Sequence, residues 1–230
     1  LKRISKMNHQ KIDEIFNKLD LWVAANGSKR YIPEDFEEDL DNNFNISENF
    51  GIQQVRKEIY EFTKILLQNK TGLCAEIGFG FYGSTHILWR EIFEKVVTIE
   101  YQLDRVWAFR ENTSNFFGNF IFNDNKSQFI FGSSHSPLSV DKLDQILNNN
   151  KLDLLFIDGD HKYESVMADY LLYKDFVSKG GIIAFHDTKN NINNYGVRKC
   201  IDKIKQRDNE IKFIDLHFSK SVGISYYVVQ

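Results

Sequence analysis

The chain has 230 residues, 42% hydrophobic and 14% aromatic, with 29 basic against 32 acidic side chains and a formal net charge of −3. This length suits one domain with a small appendage, and the balanced charge supplies neither a nucleic-acid footprint nor a polybasic membrane patch. No apolar stretch approaches the ~20 residues that span a bilayer, residues 1–10 lack the apolar centre of a signal peptide, and the two cysteines, Cys74 and Cys200, read as buried thiols that suit a reducing cytoplasm.

In chain order, Ile12, Ile15, Phe16 and Leu19 recur at helical spacing and predict a short amphipathic helix. Residues 27–49 are polar and acidic, with Pro33 and the run Glu34-Asp35-Phe36-Glu37-Glu38-Asp39, and read either as a solvated loop or as a lid over a pocket. A second helix is predicted with Ile52, Val55, Ile59, Phe62 and Ile65 on one face and Ser47-Glu48 near its start.

From Gly72 onward strands and helices alternate. The strand Leu73–Ile77 precedes a helix through Ile87, Leu88 and Ile92; the strand 96–99 ends in Glu100 and precedes a helix through Val106 and Phe109. The strand 129–131 is followed by a helix around 140–147, and Leu152–Ile157 by a helix presenting Val166, Tyr170, Tyr173 and Val177. The strand 180–185 ends at His186, and a polar loop over 189–194 leads to a helix over 196–205. Segments 213–216 and 222–229 are separated by too few residues for a crossover helix, so they pair antiparallel. The pattern predicts a doubly wound α/β fold: a seven-stranded, mostly parallel sheet with a C-terminal antiparallel strand, plus an N-terminal helical segment. Residues 1–50 form the appendage and 51–230 the main domain.

Three motifs carry chemistry. Glu76-Ile77-Gly78-Phe79-Gly80-Phe81-Tyr82-Gly83-Ser84 places G-x-G-x-x-G between a strand and a helix, where glycines admit a tight turn and the helix start offers free N–H groups. The motif alone suits a dinucleotide as well as other nucleosides. Glu76, two residues before Gly78, is placed to receive an ammonium group, and Glu100, 22 residues after Gly78, to hold ribose hydroxyls. The second motif, Asp158-Gly159-Asp160-His161, and the third, His186-Asp187, close two apolar runs with 24 residues between them. Neighbouring parallel strands would bring these acids and imidazoles to one sheet edge, a site for a cation, a proton transfer, or both. The plainer reading has Asp158 only capping the following segment; Asp160 alternates away from it and serves the loop. Ser133 and Ser134 end the third strand, where a hydroxyl can meet an adenine or simply cap the loop. His86, His135 and His217 have no evident partner, and Tyr31, Phe36, Phe44, Phe50 and Tyr195 carry no site assignment.

Residues 75–84 resemble motif I of the class I S-adenosylmethionine-dependent methyltransferases, whose sheet is Rossmann-like and ends in an antiparallel hairpin. The segment 152–188, with FIDGDHKYESVMADY and GGIIAFHDT, resembles more closely the macrocin-type and rhamnosyl sugar O-methyltransferases and their cephalosporin-biosynthesis relatives. Gly51-Ile52-Gln53-Gln54 looks like the lead into that family's first core helix. The resemblance covers about residues 50–230. It implies S-adenosyl-L-methionine held by Glu76, Gly78, Gly80, Gly83, Ser84, Glu100, Ser133 and Asp158. It further implies Mg²⁺ or another divalent cation on Asp158, His186 and Asp187, with His161 as the base. An imidazole at position 186, where those enzymes carry an acid or amide, shifts the metal preference from Mg²⁺ toward Mn²⁺ or another transition metal, or leaves His186 to orient a substrate hydroxyl. The implied partner is a small-molecule or saccharide acceptor, with no nucleic acid and no membrane; a homo-oligomer is compatible with the sequence. A catechol-type methyltransferase shares every motif, a nicotinamide-dependent oxidoreductase shares only the glycines, and a catalytically silent nucleoside-binding protein would lack transfer.

Overall fold

The computed structural model describes residues 2–25, 30–35, 50–80, 83–105, 125–189, 196–220 and 222–230. The helix predicted through Val106 and Phe109, the aromatics Phe36, Phe44 and Tyr195, and most of the loop or lid over 27–49 lie outside the described residues.

Seven strands form the central sheet: β3 (Leu73–Ile77), β4 (Lys95–Glu100), β5 (Ser127–Phe131), β6 (Leu152–Ile157), β7 (Val177–Phe185), β8 (Ile214–Leu216) and β9 (Ile224–Val228). Their spatial order is β5-β4-β3-β6-β7-β9-β8. The first five run parallel, and β9 lies antiparallel to both β7 and β8. The doubly wound, seven-stranded architecture is thus the one the alternation predicts.

Both faces of a parallel sheet must be covered, so its strands are apolar throughout rather than alternating. Leu154 and Phe156 of β6 face one core with Phe62, Trp89 and Phe93. Leu155 and Ile157 face the other, with Val166, Tyr173 and Cys200. Helices α1 (Lys2–Ala25), α2 (Arg56–Leu66) and α3 (Ser84–Ile92) serve the first face. Helices α4 (Pro137–Leu147), α5 (Tyr163–Tyr173) and α6 (Val197–Arg207) serve the second. Cys74 and Cys200 are free and buried, and burial pushes the Cys200 thiol up to about 12. Among the described residues no helix is long and apolar enough to cross a membrane.

Three boundaries differ from the sequence reading. Helix α2 begins at Arg56; residues Phe50–Val55 form strand β2, paired in parallel with β1 (Arg30–Ile32). Ile52 and Val55 are both buried, but on opposite sides of the strand and in separate clusters, and their β-branched side chains favour the strand. Val177 is also buried, yet it opens β7 after a 3₁₀ turn at Lys174–Phe176 rather than extending α5. Helix α1, expected to be short, runs for 24 residues.

One buried carboxylate fastens α2 to the terminal hairpin. Glu58 is fully enclosed; its Oε1 accepts from the Phe218 and Ser219 amides at 2.8 Å each and from the Ser219 hydroxyl at 2.7 Å. Burial raises its pKa, partly offset by those donors and by His186. Glu58→Ala would strand two amides and a hydroxyl. It is expected to lower unfolding free energy by about 2–4 kcal/mol in denaturant melts, with Glu58→Gln losing clearly less.

Candidate active site

The strand order reverses between β3 and β6, which makes a crevice at their carboxyl ends. The register sets the exits level: Ile77 pairs with both Ile99 and Ile157, and Ile157 with Phe185. The next amide beyond each strand then bonds its neighbour's last carbonyls: Gly78 N–H to Ile99 O at 3.0 Å, Asp158 N–H to Ile77 O at 2.9 Å and His186 N–H to Ile157 O at 3.1 Å. The glycine turn, Asp158 and His186 therefore stand side by side.

A cavity of about 540 Å³ opens there, within the range of small-molecule sites. Gly78, Gly80 and Gly83 line it with φ of 94°, 65° and 58°, backbone that L side chains rarely adopt. A Cβ on Gly78 would stand 2.1 Å from the Asp158 carbonyl oxygen, so this glycine is required for the turn to press against β6. Ser84, Glu100, Ser133, Asp158, His161, His186 and Asp187 line the same cavity. Both Glu100 oxygens hold backbone amides, Phe79 N–H and Gln102 N–H at 2.7 Å each. Ser133 Oγ accepts from the His135 amide at 3.2 Å.

Glu76 is not brought to the cavity wall. Its side chain is fully buried, with Oε1 accepting from Thr98 Oγ1 at 2.6 Å and lying 3.1 Å from His86 Nδ1, while His86 Nε2 lies 2.7 Å from Ser127 Oγ. Strand alternation explains the difference: the cavity-lining Ile77 and Gly78 follow Glu76, whose own side chain turns toward α3. His86, without evident partner in the sequence, is the centre of this polar group.

At the opposite end two acids and two imidazoles meet. His186 Nδ1 lies 3.1 Å from Asp158 Oδ1 and 3.1 Å from Asp187 Oδ2. His161 Nε2 lies 2.8 Å from the same Asp187 oxygen. Burial alone would raise the Asp187 pKa, but His186 and His161 outweigh it and hold the carboxyl far below its usual range. Burial keeps Asp158 raised despite His186. Both imidazoles are raised, since the two carboxylates overcome the desolvation that would lower them. Asp187 has φ of 55°, a left-handed backbone that places its carboxylate between the histidines at some local cost. Asp160 points away, accepting from Ser165 Oγ at 2.6 Å in the first turn of α5.

Ligand atoms of Asp158, His161 and Asp187 lie within 4.8 Å of one another. His186 faces the acids with Nδ1, while its buried Nε2 has no hydrogen-bond partner among the described residues. Two carboxylates with an imidazole fit a divalent cation, with the imidazole favouring a transition metal over Mg²⁺.

Sequence reasoning missed two groups. Gln54 of β2 donates from Nε2 to Asp158 Oδ2 at 3.1 Å; the cue was Gln53-Gln54 before an apolar helix, read only as a lead into it. Asp169 on α5 also lines the cavity, 3.2 Å from His135 Nε2, with burial pushing its pKa up to about 6. A carboxylate on the apolar face of a predicted helix was the available signal.

Residues 76–188 match the family described as a methyltransferase domain. The uncharacterized protein R132 of Acanthamoeba polyphaga mimivirus is 55% identical over 38 residues, a match spanning 16% of this chain and 17% of that protein. Among solved structures, an O-methyltransferase from Bacillus cereus in complex with SAH is similar at 18% identity and a TM-score of 0.54, over 95% of this chain and 90% of that one. MycE, a methyltransferase of the mycinamycin biosynthetic pathway in complex with Mg and SAH, is similar at 16% identity and a TM-score of 0.53, over 79% and 51%. At such identities the likeness speaks for the fold. The glycine turn, Glu100 and the strand-end acids all fall inside the segment that matches the methyltransferase domain.

Proposed function

We propose that this chain transfers a methyl group from S-adenosylmethionine to a hydroxyl of a sugar or sugar-containing metabolite, assisted by a divalent cation. The observation that carries the reading is that His161, held 2.8 Å from Asp187, lines the same cavity as the glycine turn and Glu100. A base, a nucleoside cradle and a paired-acid cluster share one enclosure, as an in-line displacement on an oxygen nucleophile requires. The solved neighbours from Bacillus cereus and the mycinamycin pathway, both with SAH and one with Mg, support the same chemistry. The sugar acceptor rests on the likeness of 152–188 to the sugar O-methyltransferases.

In this reading Gly78, Gly80, Gly83 and Ser84 approach the cofactor's backbone-facing side, Glu100 takes the ribose hydroxyls on its remaining lone pairs, and Ser133 meets the adenine. The cofactor, when bound, supplies the activated methyl group. His161, whose Nε2–H is held by the Asp187 carboxylate, accepts the proton of the acceptor hydroxyl at Nδ1, and Asp187 stabilises the imidazolium that forms. Asp158 and Asp187 with His186 would hold the cation, which would lower the pKa of a substrate hydroxyl.

His161→Ala is expected to lower kcat by roughly 10²–10⁴-fold, with SAH affinity by calorimetry unchanged; full activity would remove the base assignment. Because His161 must be neutral to act and its pKa is raised, the acidic limb of kcat/KM should lie above the ordinary histidine value. Asp187→Asn, which removes the charge raising it, should move that limb to lower pH. With an acceptor panel of sugars and catechols, turnover should favour sugars, fall on chelation and return with Mn²⁺; activity indifferent to chelator would discard the cation.

A further inference from the structure

The methionine portion of the cofactor carries a primary ammonium, which needs acceptors for three N–H groups. Glu76, the acid the glycine motif offers for it, is enclosed with Thr98 and His86 and does not line the cavity. Of the acids that do, Glu100 already receives two backbone amides, Asp160 holds the Ser165 hydroxyl, Asp169 lies against His135, and the Asp187 Oδ2 atom lies against both His161 and His186. Asp158 is the acid beside the glycine turn, its carbonyl pressed on Gly78.

Gln54 completes that corner. It is 1% exposed and lines the cavity. Its amide orientation follows from its partner: facing a carboxylate oxygen, the group must present Nε2–H to Asp158 Oδ2. The carbonyl Oε1 is thereby turned away from Asp158, buried and without a hydrogen-bond partner among the described residues. A buried, unmet acceptor costs free energy that a ligand's N–H can recover. Beside it, Gln53 Oε1 lies 2.9 Å from where a Cβ on Gly80 would stand, so strand β2 crosses directly over the glycine turn.

We infer that Gln54 is a cofactor-positioning residue whose carbonyl oxygen, together with Asp158, receives the methionine ammonium of S-adenosylmethionine in place of Glu76. The inference rests on the proposed methyl transfer. A neutral carbonyl beside a carboxylate suits this ligand, because it supplies a further acceptor without adding a second buried negative charge. The N-terminal strand thereby gains a function, since β2 closes the amino-acid end of the cofactor site.

The test uses the full chain and three ligands: SAH, its desamino analogue, and 5′-deoxy-5′-methylthioadenosine, which has no amino-acid tail. By calorimetry, Gln54→Leu should weaken SAH about ten- to a hundredfold, as expected for one hydrogen bond to a charged group. It should leave methylthioadenosine unchanged and reduce the wild-type preference for SAH over its desamino analogue by the same factor, the remainder being owed to Asp158. Gln54→Met, closer in length, serves if the leucine variant fails to fold. Equal loss for all three ligands would make Gln54 a shaper of the loop and overturn the inference. Unchanged SAH affinity with a raised acceptor KM would overturn it in favour of a contact to the substrate hydroxyl. Failure of the wild-type chain to bind any of the three would instead refute the methyltransferase reading itself.

Discussion

The level register of β4, β3, β6 and β7 is the constraint from which the site follows. Parallel strands joined by helices on alternate faces have evenly spaced hydrogen bonds and no freedom to slip by one residue without turning a buried face to the wrong side. Ile77, Ile99, Ile157 and Phe185 are register neighbours that share one core, while alternate residues of the same strands fill the other. Their exits therefore fall at one height, and the residues that follow them, the glycine turn, Asp158 and His186-Asp187, are delivered to one crevice without any contact among themselves being needed to assemble it.

What gathers there is electrostatically demanding. Two buried carboxylates within reach of one imidazole nitrogen would repel strongly in a dry site unless a positive charge lay between them. The two histidines supply that charge, and the opposite shifts of Asp158 and Asp187 reflect how unevenly it is shared: Asp187 touches both imidazoles, whereas Asp158 meets His186 and an uncharged amide. The strained backbone at Asp187 fits the same account, since a left-handed residue is retained where its surroundings over-determine it.

The N-terminal segment belongs to this arrangement. Ile12, Ile15, Phe16 and Leu19 of α1 join the same core as Phe62 and Trp89, and that packing fixes α2 and the strand before it. Over one continuous stretch, Gln54 reaches Asp158 and Glu58 reaches the 218–219 amides. The start of the main domain, braced by α1, thus holds both the front of the crevice and the terminal hairpin.

Apolar runs, helix-length intervals and the short link before the last strand were enough to specify the doubly wound sheet, because burial on both faces writes itself into local composition. The same regularity placed Gly78, Glu100, Asp158, His161 and Asp187 at strand exits, where periodicity and topology coincide. Local pattern failed at the start of the second helix: the spacing of Ile52 and Val55 continues the helical stripe of Ile59 and Phe62, yet pairing with Arg30–Ile32 makes a strand whose alternation sends the two to separate clusters. Side-chain direction was likewise open for Glu76, whose position in the motif suits a ligand but whose carboxylate is claimed by Thr98 and His86 across the sheet. Gln54 and Asp169 left only faint local cues and Glu58 none; their roles come from partners 34 to 161 positions away. Which elements exist, and roughly where most of them end, was legible along the chain because it depends on neighbours in sequence. Which polar groups face the cavity and which are consumed in holding it emerged only on folding, because that depends on neighbours in space.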